Sequence, residues 1–304
     1  MSAALDLREG DTWGRAQRAK NDALYVLASG ALAIAERLPR AWLVRLGRAL
    51  GAFAHATGIG PRSVAEANVA RAFPELGERE RRELVRGCYR ALGEHLGDLV
   101  ATLDPRRPLS PLPLADDGLA EAHREGRGVV FASAHLGPWE RVAATLIASG
   151  LPMTVVAREA YDPRLTPIYE RLRGGRNVRA IWRGAPGAAA ALLRTLRRGD
   201  VLGVPMDLAS RVPSIDVPFL GVPAPTPVGP ARLALRTGAA VVVGSVAPGA
   251  GGLVVSTTRI PTVDLGAGAD GERELTRRIN DALSARIRSL PASWVWMHRR
   301  WPTL

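Results

Sequence analysis

In the stretch His135-Leu136-Gly137-Pro138-Trp139-Glu140 an imidazole and a carboxylate stand close together in the chain. A histidine with a carboxylate on one ring nitrogen can take a proton from a hydroxyl with the other. The carboxylate fixes the tautomer and supports the charge that the ring gains. Glu140 also has a purely structural reading, because a carboxylate in the first turn of a helix is stabilised by the unpaired N–H groups there. The segment reads as a helix start, with Gly137 able to cap and Pro138 suited to the first helical position.

Arg158 and Asp207 join His135 through their positions. Each follows an apolar run, at 128–133 before His135, 153–157 before Arg158 and 201–206 before Asp207. Open parallel sheets bind ligands outside the carboxyl ends of their strands. If these runs are such strands, a titratable base, a fixed cation and a carboxylate are aimed at one edge.

Other chemistries lack their residues. No Gly-x-Ser-x-Gly elbow is present, which argues against an α/β serine hydrolase. Neither His-Glu-x-x-His nor a cysteine pair is available for zinc, which argues against zinc hydrolysis. Gly266, Gly268 and Gly271 fit Gly-x-Gly-x-x-Gly, but they follow Pro261 and Asp264 rather than a clean strand. No acidic residue sits about twenty positions further on, and the stretch reads as a flexible loop capped by Asp270. The lone Cys88 falls in the stripe Leu84, Cys88, Leu92, Leu96, Leu99 of a helix predicted over 78–101. Helical spacing of that kind marks a packed thiol rather than a nucleophile.

The elements that must hold these residues follow from periodicity. Apolar runs at 128–133, 153–157, 178–182, 201–206 and 240–247 alternate with helix-length segments near 138–149, 163–173, 186–198 and 228–237. That alternation predicts an α/β fold with a mostly parallel central sheet flanked by helices. Residues 253–257 read as a hairpin partner of the preceding strand. Leu275, Ile279, Leu283, Ile287 and Leu290 mark a final helix. Ahead of the sheet, helices are predicted over 22–36, 40–56 and 78–101, packed on it as an N-terminal helical segment. The proline-rich piece 105–113 reads as a connector. The expectation is one domain over 1–304, with a polar tail to 21, a helical part over 22–101 and an α/β core over 128–304.

The net charge of +12 favours acidic partners: nucleic acid, anionic lipid, a phosphorylated substrate or an acidic carrier protein. Aromatics make up only 5% and no basic-aromatic recognition motif appears, which argues against nucleic acid. Of the 41 basic residues only Lys20 is a lysine, a skew first of all of a GC-rich genome. The first twenty residues are polar and charged, unlike a secretory signal. The weakly apolar run 24–35 falls short of the roughly 20 residues needed to span a bilayer. Trp42, Leu43, Leu46, Leu50 and Phe53 recur at helical spacing with Arg45 and Arg48 between them. Such a helix could rest on an anionic membrane surface or pack on its own domain.

The segment from His135 to Glu140 resembles the His-x4-Asp/Glu motif of the late lipid A acyltransferases and their relative, the phosphatidylinositol mannoside acyltransferase. Other segments resemble that family in its order: Asn68-Val69-Ala70-Arg71-Ala72-Phe73-Pro74-Glu75, then Arg158 with Asp162-Pro163-Arg164-Leu165. Asp207, Val217-Pro218-Phe219-Leu220-Gly221, Thr226 and Gly229-Pro230-Ala231 follow, and the ending from Trp294 to Trp301 resembles its C-terminal signature. The resemblance runs from about residue 22 to the end. Two features depart from it: Asp207-Leu208 stands where Asp-Gln is usual, and the N-terminal membrane span of the lipid A enzymes is weak or missing. Both are closer to the mannoside-type members.

The resemblance implies a glycerolipid acyltransferase-like fold. It also implies transfer of a fatty acyl chain from an acyl carrier protein or coenzyme A thioester to a glycolipid hydroxyl. A lipid A precursor is the first acceptor expected, with a phosphatidylinositol mannoside-like lipid as the alternative. No cofactor, metal or covalent acyl-enzyme is implied. The setting would be the cytoplasmic face of the bacterial inner membrane, with peripheral attachment to its anionic surface or a weak anchor in it. His135 would deprotonate the hydroxyl and Glu140 would orient it, with Asp207 as an additional or alternative partner. Arg158 and nearby backbone amides would stabilise an oxyanion or hold a phosphate, unless Arg158 forms an ion pair with Asp207. Arg299 and Arg300 are assigned to substrate or membrane phosphate; Trp139, Trp42 and Phe53 to the membrane or an acyl groove. Trp296 is assigned to packing, while Trp294 and Trp301 are open between packing and the lipid interface. A basic membrane-binding protein without catalysis and a thioesterase are the rival readings.

Overall fold

The computed structural model describes residues 13–102, 110–158, 162–168, 170 and 178–301. Four helices come first: α1 (Arg15–Ala35), α2 (Arg40–Thr57), α3 (Arg62–Ala72) and α4 (Glu78–Ala101). A short strand β1 (Leu114–Ala115) and a short helix α5 (Leu119–Arg124) lead into the sheet. There β2 (Val129–Ser133), α6 (Trp139–Ala148), β3 (Met153–Ala157), β4 (Arg179–Trp182), α7 (Ala188–Arg197) and β5 (Val201–Pro205) follow in the predicted order. A hairpin of β6 (Ser214–Phe219) and β7 (Val222–Pro227) follows. Then come α8 (Gly229–Thr237), β8 (Ala240–Gly249), β9 (Gly252–Ile260) and the long α9 (Ala269–Ser289).

The main sheet has seven strands in the order β1-β9-β8-β2-β5-β3-β4. Strands β8, β2, β5, β3 and β4 run parallel, and β9 returns antiparallel along β8. The β8–β9 pairing is the predicted hairpin, longer than the apolar run implied. Central strand β2 is buried on both faces along Val129–Ala132, as an apolar strand covered by helices on each side must be. Helix α9 covers the sheet with Leu275, Ile279, Leu283 and Ile287, all fully buried. The Gly266-to-Gly268 loop leads into it, with Asp270 in its first turn.

The N-terminal helices meet through small residues. Leu43, Gly47 and Gly51 form one buried stripe of α2. A Cβ at Gly47 would lie 2.1 Å from the carbonyl oxygen of Gly93, and one at Gly97 would lie 2.2 Å from that of Leu43. Backbone thus touches backbone between α2 and α4, a separation that only glycine permits. Because that stripe meets α4, the large side chains of α2 are left outside: Trp42 is 65% exposed and Phe53 60%, with Leu46 and Leu50 between them. Leu24, Leu27 and Ile34 of α1 are exposed as well.

The stripe expected on α4 divides in two. Cys88 is buried with Val85 and Tyr89, and its thiol donates to the carbonyl of Trp294 at 3.0 Å. Burial pushes that thiol up to about 12, so it is inert as a nucleophile. Leu92, Leu96 and Leu99, by contrast, line a cleft. Sequence periodicity does not foresee α3, α5 or the proline-rich β6–β7 hairpin. Most of the expected connector 105–113 and part of the expected helix 163–173 lie outside the described residues.

Candidate active site

Strands β2 and β5 are neighbours in register, with Ser133 opposite Pro205. The chain therefore leaves both strands at one edge, and His135 and Asp207 meet there. The His135 Nδ1 lies 2.9 Å from Oδ1 of Asp207, and the His135 backbone N–H donates to Oδ2 at 2.8 Å. The indole N–H of Trp294 donates to the same Oδ2 at 2.8 Å. Asp207 is fully buried, and three donors satisfy its charge. An acceptor with that set of partners stays ionised.

The electrostatics follow from this geometry. Burial works against a charged His135, but the negative charge and hydrogen bond of Asp207, helped by Glu140, outweigh it and raise the imidazole above its ordinary 6.5. Burial likewise works against the Asp207 anion. The charge of His135 and the hydrogen bonds from His135 and Trp294 reverse that and hold the carboxyl below its ordinary range. With Nδ1 on Asp207, the neutral ring carries its proton there and presents Nε2 as the basic atom. The His135 side chain is 29% exposed.

Glu140 stands in the first turn of α6, as expected, but the carboxylate hydrogen-bonded to His135 is that of Asp207. Local sequence proximity placed Glu140 first; strand adjacency brings Asp207 closer. Helix α6 begins at Trp139, so Pro138 is its N-cap rather than its first helical residue. Gly137 adopts φ 58°, and a Cβ there would come within 2.6 Å of a Val246 methyl. Glycine is thus required by both backbone and space.

A cleft lies next to the loop that carries His135. Its walls include Leu92, His95, Leu96 and Leu99 of α4, with Pro138 and Trp139 opposite. Trp139, one of its walls, packs edge-on against His135, ring centres 5.3 Å apart. Burial holds His95 down to about 4, and it is neutral at ordinary pH. At the rim, Asp98 of α4 accepts from Arg40 of α2 and Arg141 of α6, with Arg141 Nε at 3.0 Å, tying three helices together.

The remaining candidates are spread out. Arg158 is exposed just beyond β3, the strand next to β5, and the carboxylate of Asp207 is occupied by His135 and Trp294 rather than by Arg158. Backbone amides of the His135 loop are largely committed: that of His135 to Asp207, that of Gly137 to the carbonyl of Ser293 and that of Trp139 to Gly137. Trp42 and Phe53 lie on the outer face of α2 rather than in the cleft. Arg299 is exposed. Arg300, expected at a phosphate, is instead fully buried, donating to the carbonyl of Pro225 and to Thr226 and stacked on Phe219 at 4.5 Å. Its guanidinium anchors the β6–β7 hairpin. Trp294, Trp296 and Trp301 are all buried, which removes the lipid-interface reading for them.

Two contributors escaped sequence reasoning. Trp294 touches the buried carboxylate directly. Asn68, inside the matching N-terminal segment, donates its amide to the carbonyls of Trp296 and His298 at 2.8 and 2.7 Å. A polar residue on a helix otherwise presenting Ala65, Val69 and Ala72 to the interior was the available signal.

A histidine held by a buried carboxylate thus stands where two neighbouring parallel strands end, at the carboxyl edge of the sheet. The chain belongs to the bacterial lipid A biosynthesis acyltransferase family, matched over residues 15–303. It is also 31% identical over 193 residues to the phosphatidylinositol mannoside acyltransferase of Mycolicibacterium smegmatis. That match covers 61% of this chain and spans 60% of the relative's length.

Proposed function

We propose that this chain transfers a fatty acyl group from a thioester of acyl carrier protein or coenzyme A to a hydroxyl of a glycolipid, with His135 as general base. The observation that carries the reading is the Nδ1 contact to Asp207, which leaves Nε2 as the ring nitrogen for the proton transfer. In the reaction, Nε2 takes the proton of the acceptor hydroxyl as its oxygen attacks the thioester carbonyl. The tetrahedral oxyanion then collapses, the C–S bond breaks, and the imidazolium returns its proton to the leaving thiolate. Arg158, a fixed cation at the same sheet edge, is assigned to the oxyanion or to a substrate phosphate. The scheme uses no metal or cofactor.

The reading places the reaction at the cytoplasmic face of the inner membrane, in a single acyltransferase domain. Among the described residues no helix is long and apolar enough to cross a membrane. Peripheral attachment is supported by the exposed stripe of Trp42, Leu46, Leu50 and Phe53, flanked by Arg45 and Arg48. Leu96, 60% exposed, is a further apolar side chain in the wall of the cleft.

The acceptor is a lipid A precursor or a phosphatidylinositol mannoside; the family favours the first and the relative the second. The test offers palmitoyl-CoA and palmitoyl-acyl carrier protein with each acceptor to the purified protein and its His135→Ala variant, with products read by mass spectrometry. An acylated glycolipid formed by the native protein and lost in the variant is expected. Undiminished transfer by the variant would overturn the mechanism, and acceptor-independent release of free fatty acid would identify a thioesterase instead.

A further inference from the structure

We infer that Trp294 is a positioning residue of this site, setting the orientation and basicity of His135 through its indole hydrogen bond to Asp207. The inference rests on the reading of His135 as the base. Its geometry, however, stands independently. Oδ2 of Asp207 receives two donors, the Trp294 indole N–H and the His135 backbone N–H, both at 2.8 Å, which leaves Oδ1 for Nδ1. Without the indole, the carboxylate could turn and share Oδ2 with Nδ1.

The indole itself is rigidly held. Trp294 has no exposed surface and packs against Trp296, ring centres 4.6 Å apart, and Phe219 at 5.6 Å. Its carbonyl accepts the Cys88 thiol of α4, and it forms an antiparallel bridge with Leu136, immediately after the histidine. Ser293, just before it, accepts the Gly137 amide at 2.9 Å. Just beyond it, Asn68 of α3 holds the carbonyls of Trp296 and His298. The C-terminal segment is therefore a strap that the N-terminal helices press against the His135 loop, and Trp294 is where it reaches the carboxylate.

The charged and titratable groups around His135 are Asp207 beyond β5, Glu140 of α6, and His298 and Arg300 of the strap, with His95 of α4 beside Gly137. His298 and His95 are held below their ordinary values by burial, so neither gains charge near neutrality. Removing the indole N–H takes one donor from the carboxylate and makes it more basic. The stronger attraction then raises His135 further.

Nitrogen-15 histidine NMR reads this without any substrate. The five histidines are followed against pH, with His135→Gln identifying the His135 signal. In Trp294→Phe the His135 midpoint is expected to rise. Trp296→Phe removes an equally buried indole whose N–H goes to the carbonyl of Pro291, and it is expected to leave the midpoint in place. If Trp294→Phe does not fold, 2-naphthylalanine at position 294 keeps the ring volume and omits the donor. An unmoved midpoint in the Trp294 variants, or an equal rise in Trp296→Phe, would overturn the role. The transfer assay on His135→Gln separates the two claims. An active variant refutes the base, whereas an inactive one with an unmoved Trp294 midpoint refutes only the positioning role.

Discussion

Replacing Asp207 by asparagine should disable His135 while leaving the site in shape. The carboxylate accepts three hydrogen bonds, two at Oδ2 and one at Oδ1. An asparagine amide keeps most of them by placing its oxygen where Oδ2 stood, still accepting from the His135 backbone and Trp294. Its NH₂ then faces Nδ1, which must become an acceptor, and the ring proton moves to Nε2. The base is thereby presented in the wrong tautomer. A loss of this kind costs on the order of 10³- to 10⁴-fold in kcat, about 4 to 5.5 kcal/mol of barrier. KM should stay within about threefold, because Asp207 is buried away from substrate.

The pH profile gives a second readout. In the native protein His135 lies above 6.5, so activity falls as pH drops through that raised value. Asparagine removes the main group that raises it, so the acid limb of the residual activity moves to lower pH. Linkage runs in matching directions. The stability from the raised His135 is fully present below its unfolded value and is lost as pH climbs through the folded one. That from the lowered Asp207 is present above its unfolded value and is lost as pH falls through the folded one. The assay is thiol release from palmitoyl-CoA with acceptor, run across neutrality for native protein, Asp207→Asn and Glu140→Gln. Glu140 acts on His135 only through its charge, so its loss is expected to cost less than about tenfold. Activity of Asp207→Asn within tenfold of native, or a larger loss in Glu140→Gln, would refute the pairing.

Other consequences reach beyond the pair. Trp42→Ala with Phe53→Ala should weaken binding to anionic vesicles by at least about tenfold, because each large side chain contributes roughly 1.5 to 3 kcal/mol on burial; co-sedimentation with unchanged binding would remove the membrane reading of α2. Gly47→Ala drives a Cβ into the carbonyl of Gly93 and should cost about 1 to 3 kcal/mol in urea unfolding. Asn68→Ala leaves two strap carbonyls without their donor. It should lower stability by about 1 to 3 kcal/mol and reduce kcat alongside, as thermal unfolding and rate measurements would show.

Much of this arrangement was legible in the chain. The alternation of apolar runs and helix-length segments gave the parallel sheet, and reading the residues after each run put His135, Arg158 and Asp207 at one edge. What periodicity could not supply was lateral order. Nothing local says that β5 lies directly beside β2, and it is that adjacency, not sequence distance, that makes Asp207 the hydrogen-bonded partner instead of Glu140. The strap was hidden for a similar reason. Trp294, Trp296, Trp301 and Arg300 look like an amphipathic surface by composition, yet all are buried, and distant residues take some of their polar atoms: Asp207 the Trp294 indole, Asn68 the Trp296 carbonyl, and Pro225 and Thr226 the Arg300 guanidinium. The α2–α4 contact had a visible signal in Gly47, Gly51, Gly93 and Gly97, whose spacing of four marks a close helix crossing. The β6–β7 hairpin escaped because its prolines, at 218, 223, 225 and 227, mask strand periodicity.

The central claim, that His135 moves an acyl chain onto a glycolipid, is tested most directly by lipid mass spectrometry of a strain lacking this gene. The account predicts a glycolipid lighter by one fatty acyl group, restored by the native gene and not by the His135→Ala allele. Full restoration by that allele, or a glycolipid profile unchanged by the deletion, would contradict it.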